Sequence, residues 1–356
     1  MAAQPKIAAA SPHNAARLSL RPFADAGAAW TDALTGFSGV TLYHGARWLR
    51  ALVDTYGLKL WVAAVDGSGG DEAACVLAGT RRPFSATRFA ALPFSDFCPP
   101  LAKSATALAT LLDALARDRS TRAGCELRGV AAPAPGRTVD CFANWALDLA
   151  RPMVAVERSL DRDFRRKIRR GGEAKLTIKR GYDMTFVARF YALQLETRRR
   201  LGLPAQPLKF FARVQEVFGQ AEDFEVWLAS KNGHDLAGAV VLREGGRLYM
   251  KWSARRRDEI SSANHLLVWS IIEEHAGKVD ALDLGRTDVR NQGLSRFKKE
   301  AGAVASPLPY SFFPLAPRHV SSEVLTGSRK LVAQAWRYLP LPVARIAGAA
   351  VYRFLV

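Results

Sequence analysis

Cysteine is scarce. The four thiols in 356 residues, Cys75, Cys98, Cys125 and Cys141, form no C-x-x-C pair and stand among apolar neighbours. They exclude a disulfide framework and predict reduced core side chains. The six histidines never recur at i,i+3 or i,i+4, so no metal site is expected. No run approaches the roughly eighteen uncharged apolar residues of a spanning helix. The amino terminus lacks the charged-then-apolar pattern of a signal peptide. A cytoplasmic chain with a loose tail over residues 1–16 is therefore expected. There is also no G-x-S-x-G elbow and no Cys and His at a recognisable spacing, which argues against a covalent acyl-enzyme.

Hydrophobic residues make up 49% and charged residues 24%, which is globular composition. The net charge of +18 is unevenly spread. Residues 1–150 carry 15 Lys+Arg against 12 Asp+Glu, whereas residues 151–356 carry 36 against 21. Basic surplus concentrated in one half points to an anionic partner there: cofactor phosphates, RNA or an acidic membrane surface. A merely solvated basic surface is the plainer alternative.

The two halves repeat one order of elements. In the first, an amphipathic helix near His44–Tyr56 precedes strands at Leu60–Val65, Ala73–Gly79 and Arg88–Pro93, a helix at Ser104–Arg117, a strand at Cys125–Val130 and an alternating segment at Trp145–Leu149. In the second, helices near Met184–Leu201 and Leu208–Phe218 lead to strands at Phe224–Ser230, Leu236–Arg243 and Arg247–Ala254. A helix near Asn264, a strand at Ala281–Leu284 and an alternating stretch at Pro309–Phe313 complete it. Asn232-Gly233 is a strong two-residue hairpin signal. Domains over 17–150 and 151–318 are expected, with a basic amphipathic tail over 319–356.

Between the halves lies a very basic segment, Arg158–Arg180. Ser159 is a candidate N-cap, with Asp161 and Asp163 in the first turn. Leu160, Phe164 and Ile168 form one stripe, arginines and Lys167 cover the rest, and Gly171-Gly172 is expected to end or loosen the helix.

Three stretches resemble the FemAB-type and BioF2-like branch of the GNAT acyltransferases. They are Leu92-Pro-Phe-Ser-Asp-Phe-Cys-Pro-Pro-Leu101, the helix Phe190–Leu203 with its Thr-Arg-Arg-Arg-Leu-Gly end, and Leu282-Asp-Leu-Gly-Arg-Thr-Asp288 followed by Gly293-Leu-Ser-Arg-Phe-Lys-Lys-Glu-Ala-Gly302. Ala301 stands where the family motif carries an aromatic. The repeated element order is also that of the GNAT fold. The resemblance implies two tandem GNAT-like α/β domains and transfer of an acyl or aminoacyl group to an amine or hydroxyl of a cell-envelope or exopolysaccharide precursor. The donor would be acyl-CoA or aminoacyl-tRNA.

Such a reaction needs a polarised carbonyl, a neutral nucleophile and a group that offsets developing charge. Lys298 is the candidate cation for the donor carbonyl or phosphate. Asp96 is placed to bind or deprotonate the acceptor, and Asp288 is a second catalytic candidate. Arg200 would clamp an anionic group, with Thr197 on the same helical face. Tyr249 and Lys251 share one face of a strand that would line the cleft.

Acetyl-CoA enzymes of this fold hold pyrophosphate on a glycine-rich loop before a helix. Here that stretch, Ala254–Asn264, contains no glycine. Arg255, Arg256 and Arg257 remain as phosphate ligands, with Ser261 or Ser262 as helix cap. The change leaves aminoacyl-tRNA beside acyl-CoA as donor. The tail from Trp336 is apolar but interrupted by Arg345 and Arg353, so it either packs on the protein or lies in an anionic membrane interface. A different class of reading is a non-catalytic module holding RNA or anionic lipid on a degenerate fold.

Overall fold

The structure is a computed structural model that describes residues 17–66, 72–80, 87–133, 136–219, 223–256, 262–313 and 327–352. Its first half runs β1 (Ser19–Pro22), α1 (Phe23–Ala33), α2 (Ala46–Tyr56), β2 (Lys59–Asp66), β3 (Glu72–Thr80), β4 (Arg88–Ala91), β5 (Leu101–Ala102), α3 (Ala105–Arg117), β6 (Cys125–Arg128) and β7 (Arg137–Asp148). Next come α4 (Met153–Ser159) and α5 (Arg162–Glu173). The second half runs β8 (Thr177–Gly181), α6 (Met184–Arg200), α7 (Leu208–Phe218), β9 (Phe224–Lys231), β10 (His234–Glu244), β11 (Arg247–Arg255), α8 (Ala263–His275), β12 (Ala281–Asp288), α9 (Gln292–Glu300) and β13 (Val304–Phe313). A hairpin of α10 (Gly327–Tyr338) and α11 (Leu341–Tyr352) follows.

The duplicated order read from the sequence is present. Asn232 and Gly233 take φ of +50° and +81° to join β9 to β10, as a two-residue hairpin of this type requires. The basic segment differs in detail. Asp161, not Ser159, caps α5, accepting from Asp163 N at 2.8 Å. Ser159 ends the preceding helix α4, and its hydroxyl donates to Val156 O. Gly171 and Gly172 lie in the last turn of α5, which ends at Glu173. A Cβ at Gly171 would stand 3.0 Å from Leu266, so this glycine lets α5 approach α8 closely. The helix gives way where Lys175 adopts φ +55°. Strand β8 was hidden from pattern reading because Lys179 and Arg180 break its alternation, a composition typical of a protected sheet edge.

All thirteen strands join one sheet, ordered β1-β2-β3-β4-β6-β13-β7-β12-β11-β10-β9-β8, with β5 on β3. The central order is the key feature. Strand β7 of the first half lies between β12 and β13 of the second, and β13 in turn pairs with β6. The sequence boundary near residue 150 thus cuts the chain but not the sheet.

Alternation along the strands sorts side chains to two faces. Leu60 and Val62 of β2, with Val240 and Leu242 of β10, share one core with Trp48, Phe190, Phe210 and Phe211 of α2, α6 and α7. Ala63 and Val65 face α3 on the other side of the first half. Ala237, Ala239 and Val241 face Phe164 of α5 and Leu267 and Ile271 of α8 behind the second half. One helical layer therefore serves both halves. A small fourth cluster, Phe142, Leu308, Tyr310 and Phe312, lies at the strand exchange itself.

Two outcomes follow from the exchange. Segments 1–150 and 151–356 produced separately should each lack a cooperative unfolding transition, and regain one when mixed during refolding. Phe142→Ala, which empties a site 4% exposed, should cost about 3–5 kcal/mol in urea unfolding.

Candidate active site

The Leu92–Pro100 segment leaves β4 as an irregular but heavily tied loop. Arg128 Nη1 donates to Leu92 O at 3.2 Å and to Ser95 O at 3.0 Å, while Trp48 Nε1 donates to Ser95 Oγ at 2.8 Å. Phe94 is held at φ +61°, a left-handed conformation costly for a residue with a Cβ. His44 clamps the far end. Its Nδ1 accepts from Thr41 N and its Nε2 lies 2.9 Å from Pro99 O, which fits the neutral tautomer with the proton on Nε2. Burial agrees, lowering this imidazole to about 4.

These ties fix Asp96 against the second half of the chain. Its Oδ2 accepts from Tyr43 Oη at 2.7 Å and from Lys251 Nζ at 3.1 Å. Arg286 Nε stands 3.9 Å from Oδ1. The Lys251 side chain is 5% exposed, against 18% for Asp96 and 25% for Arg286. Lys251 and Tyr43 thus form the floor, and Oδ1 with the Arg286 guanidinium forms the accessible rim.

Lys251 reaches this position through a bulge. Val240 pairs with Trp252 and Val241 with Met250, so Lys251 is the extra residue of β11. Its ammonium lies 5.1–5.7 Å from the ring centres of Tyr43, Trp48 and Trp252. These faces compensate part of its lost hydration. Burial nevertheless pulls Lys251 below its ordinary value, against the opposing pull of Asp96. For Asp96, burial pushes upward, but the charges of Lys251 and Arg286, with the hydrogen bonds from Tyr43 and Lys251, hold the carboxyl below its usual range. Burial and the neighbouring carboxylates raise the Tyr43 hydroxyl well above its ordinary value, so it acts as a donor.

Strands β11 and β12 pair in parallel over Arg247–Tyr249 and Ala281–Asp283, and no pairing between them continues beyond this among the described residues. β11 goes on along β10 and β12 along β7. The gap opens beside Lys251 and Arg286. In β12, Gly285 takes φ +76°, and a Cβ there would stand 3.2 Å from Asp96 Oδ2. Asp283 anchors this bend, accepting from Gly285 N at 2.6 Å and Asn144 Nδ2 at 2.8 Å, and burial raises its carboxyl.

Of the residues named from sequence, Asp96, Lys251 and Tyr249 come together, the Tyr249 hydroxyl accepting from Leu42 N while its ring packs on Tyr43. Thr197 and Arg200 meet elsewhere, at the end of β11. Arg256 N reaches Leu236 O of β10, so Arg255 turns its own N–H and C=O to the opposite edge. There Thr197 Oγ1 bonds both groups at 3.1 Å, and Arg200 Nη1 donates to Arg255 O at 2.9 Å. The Arg255 side chain is exposed, whereas Arg256 pairs with Glu196 at 3.2 Å. Ser262 occupies the N-cap of α8 without a side-chain cap bond; Arg257 and Ser261 lie outside the described residues.

Lys298 is 3% exposed and donates to Gly285 O at 2.8 Å and Arg286 O at 3.3 Å, bracing the bend that carries Arg286. Asp288, 1% exposed, binds the backbone N and guanidinium of Arg290. Sequence reasoning passed over Tyr43, Asp283 and Arg286. The last two lie inside the quoted Leu282–Asp288 motif and were legible there. Tyr43 had no local signal, since its partners are 53 residues (Asp96) and more than 200 residues (Lys251) away.

Residues 158–299 match the family model described as Acetyltransferase (GNAT) domain. Among similar solved structures, FemX aligns with TM-score 0.60 and 14% identity, over 80% of this chain and 95% of its own. L-PGS from Bacillus licheniformis gives 0.49 at 10% identity over 81% and 91%. A tandem GNAT protein from the clavulanic acid biosynthesis pathway gives 0.48 at 12% over 83% and 98%. The sequence matches no curated protein. At such identities the likeness is one of fold, and the FemX alignment carries it.

Asp96→Asn removes the counter-charge of a buried ammonium and should cost about 3–5 kcal/mol at neutral pH. Because the folded carboxyl sits below its ordinary value, this stabilisation is complete above roughly pH 4 and disappears as pH falls through the folded value. Urea unfolding of variant and wild type should therefore converge toward acid. Equal stability at pH 7 would contradict the assignment.

Proposed function

We propose that this chain, whose residues 158–299 belong to the acetyltransferase (GNAT) domain family within a FemAB-like tandem fold, transfers an acyl or aminoacyl group to an amine or hydroxyl of a cell-envelope or exopolysaccharide precursor. The observation that carries this reading is the position of Asp96 Oδ1 and Arg286 at the mouth of the gap between β11 and β12.

An acceptor N–H or O–H donates to Oδ1. Held below the usual carboxylate range, Asp96 is a weak base at neutral pH. Its part is to orient the acceptor and offset positive charge growing on the attacking atom. The proton leaves with the departing group or to solvent. As the new bond to the donor carbonyl carbon forms, negative charge gathers on the carbonyl oxygen, where the Arg286 guanidinium opposes it. The thiolate of a coenzyme A donor, or the ribose oxygen of an aminoacyl-tRNA donor, then departs. Lys251 and Tyr43 keep Asp96 charged and immobile, and Lys298 holds the backbone under Arg286.

Both donors carry phosphates, for which exposed Arg255 and the outer arginines of α5 are available. Those arginines, Arg162, Arg165, Arg169 and Arg170, also favour a second reading in which the chain only binds RNA or anionic lipid.

Acetyl-CoA and aminoacyl-tRNA are to be compared by thermal shift, followed by transfer assays with the stabilising donor. Arg286→Ala is expected to lower kcat/KM by about 10²–10³-fold. Undiminished transfer by Arg286→Ala would remove the site assignment. Salt-sensitive binding of a polyanion without turnover of either donor would favour the binding module.

A further inference from the structure

The α10–α11 hairpin has two apolar faces, and one of them is covered by the protein. Ala333 and Ala344 are buried at 4% and 3% exposure. A Cβ on Gly202, at φ +71°, would stand 2.5 Å from Ala333 O, and one on Gly348 would stand 3.0 Å from Ala205 N and O. Arg199 Nη1 donates to Leu339 O at 3.3 Å. The hairpin is thus seated at backbone distance on the carboxyl end of α6 and the segment after it. Of the two placements open to this tail from sequence, packing on the protein describes its inner face.

The outer face is also apolar. Val343, Ile346 and Val351 of α11 are 47%, 68% and 39% exposed. Val343, Ile346 and Ala350 recur at intervals of three and four residues, making one stripe along the helix. Tyr338, at the corner of the hairpin, is 87% exposed, and Leu201 at the adjoining end of α6 is 50% exposed. The charge in the hairpin's sequence has one sign. From Val324 to Val356 the chain contains Arg329, Lys330, Arg337, Arg345 and Arg353 and not a single acidic residue. A surface built for water intersperses both signs and scatters its apolar groups.

We propose that α10–α11 is an interfacial anchor that seats the protein on an anionic lipid bilayer. The stripe of α11 enters the boundary between headgroups and acyl chains. Tyr338 places its ring at headgroup level with its hydroxyl wet. Arg337 and Arg345 meet lipid phosphates. At about 18 Å, a twelve-residue helix is too short to cross the bilayer and lies in its plane. No helix among the described residues is long and apolar enough to span. This inference is independent of the transfer reaction.

The test is sedimentation of the full chain with vesicles of phosphatidylcholine alone and of phosphatidylcholine containing phosphatidylglycerol. Binding is expected to the second and not the first, weakening as salt rises. Val343→Ser with Ile346→Ser should reduce it about tenfold, and Arg337→Gln about fivefold. All three side chains are exposed, so the thermal unfolding of these variants should match the wild type. Equal binding to both vesicle types, or binding unchanged by the variants, would overturn the proposal. So would a dimer in solution that the serine variant splits without any vesicle binding, since the face would then cover a second copy of the chain.

Discussion

The insertion of β7 between β12 and β13 is the constraint on which the rest of the molecule depends. Two domains that merely touched would share an interface able to slide or open. Here the interface is a ladder of main-chain hydrogen bonds, and slipping its register by one residue would turn every side chain of β7 to the wrong face. That ladder holds the Tyr43 and Asp96 segments of the first half against Lys251 and Arg286 of the second. The common helical layer of α2, α6 and α7 reinforces the same alignment from one side.

Precision of this kind matters because the site is ionic and largely dry. Lys251 has little access to water, and its charge is tolerated because Asp96 and three aromatic faces surround it. A well-packed hydrophobic pair of similar volume would serve folding as well or better. The loop that carries Asp96 also accepts an unfavourable backbone conformation at Phe94. Destabilising features gathered around one carboxylate mark it as a candidate site. The sharing of Asp96 between floor and rim is equally telling. Oδ2 is committed to the floor, and Oδ1 faces the opening with a guanidinium beside it.

Lys298 illustrates how a motif and a role can separate. Its motif is one of the three stretches that carry the family resemblance, yet the ammonium is buried and bonded to the carbonyls of Gly285 and Arg286. From there it braces the strand that bears Arg286. Thr197 and Arg200 hold main chain in the same way, at the end of β11.

Periodicity and turn chemistry by themselves determined the duplicated order of helices and strands, the Asn232-Gly233 hairpin, and the apolar stripe of Leu160, Phe164 and Ile168. These are local properties, set by side-chain spacing and allowed backbone angles within a few residues. The element order and quoted motifs also pointed to the GNAT class, and Asp96 and Lys251 were already candidates. What only the tertiary structure decided was non-local. The exchange of β7 and β13 leaves no trace in local pattern, because a strand inserted into the other half alternates like any other. Tyr43 joined the site, and Lys298 turned inward, through contacts across tens to hundreds of residues. Strand β8 stayed concealed because an edge strand carries charge where pattern reading looks for apolar side chains. Local sequence records the conformation of a segment; which segment becomes its neighbour is settled by burial and hydrogen-bond pairing of the whole chain.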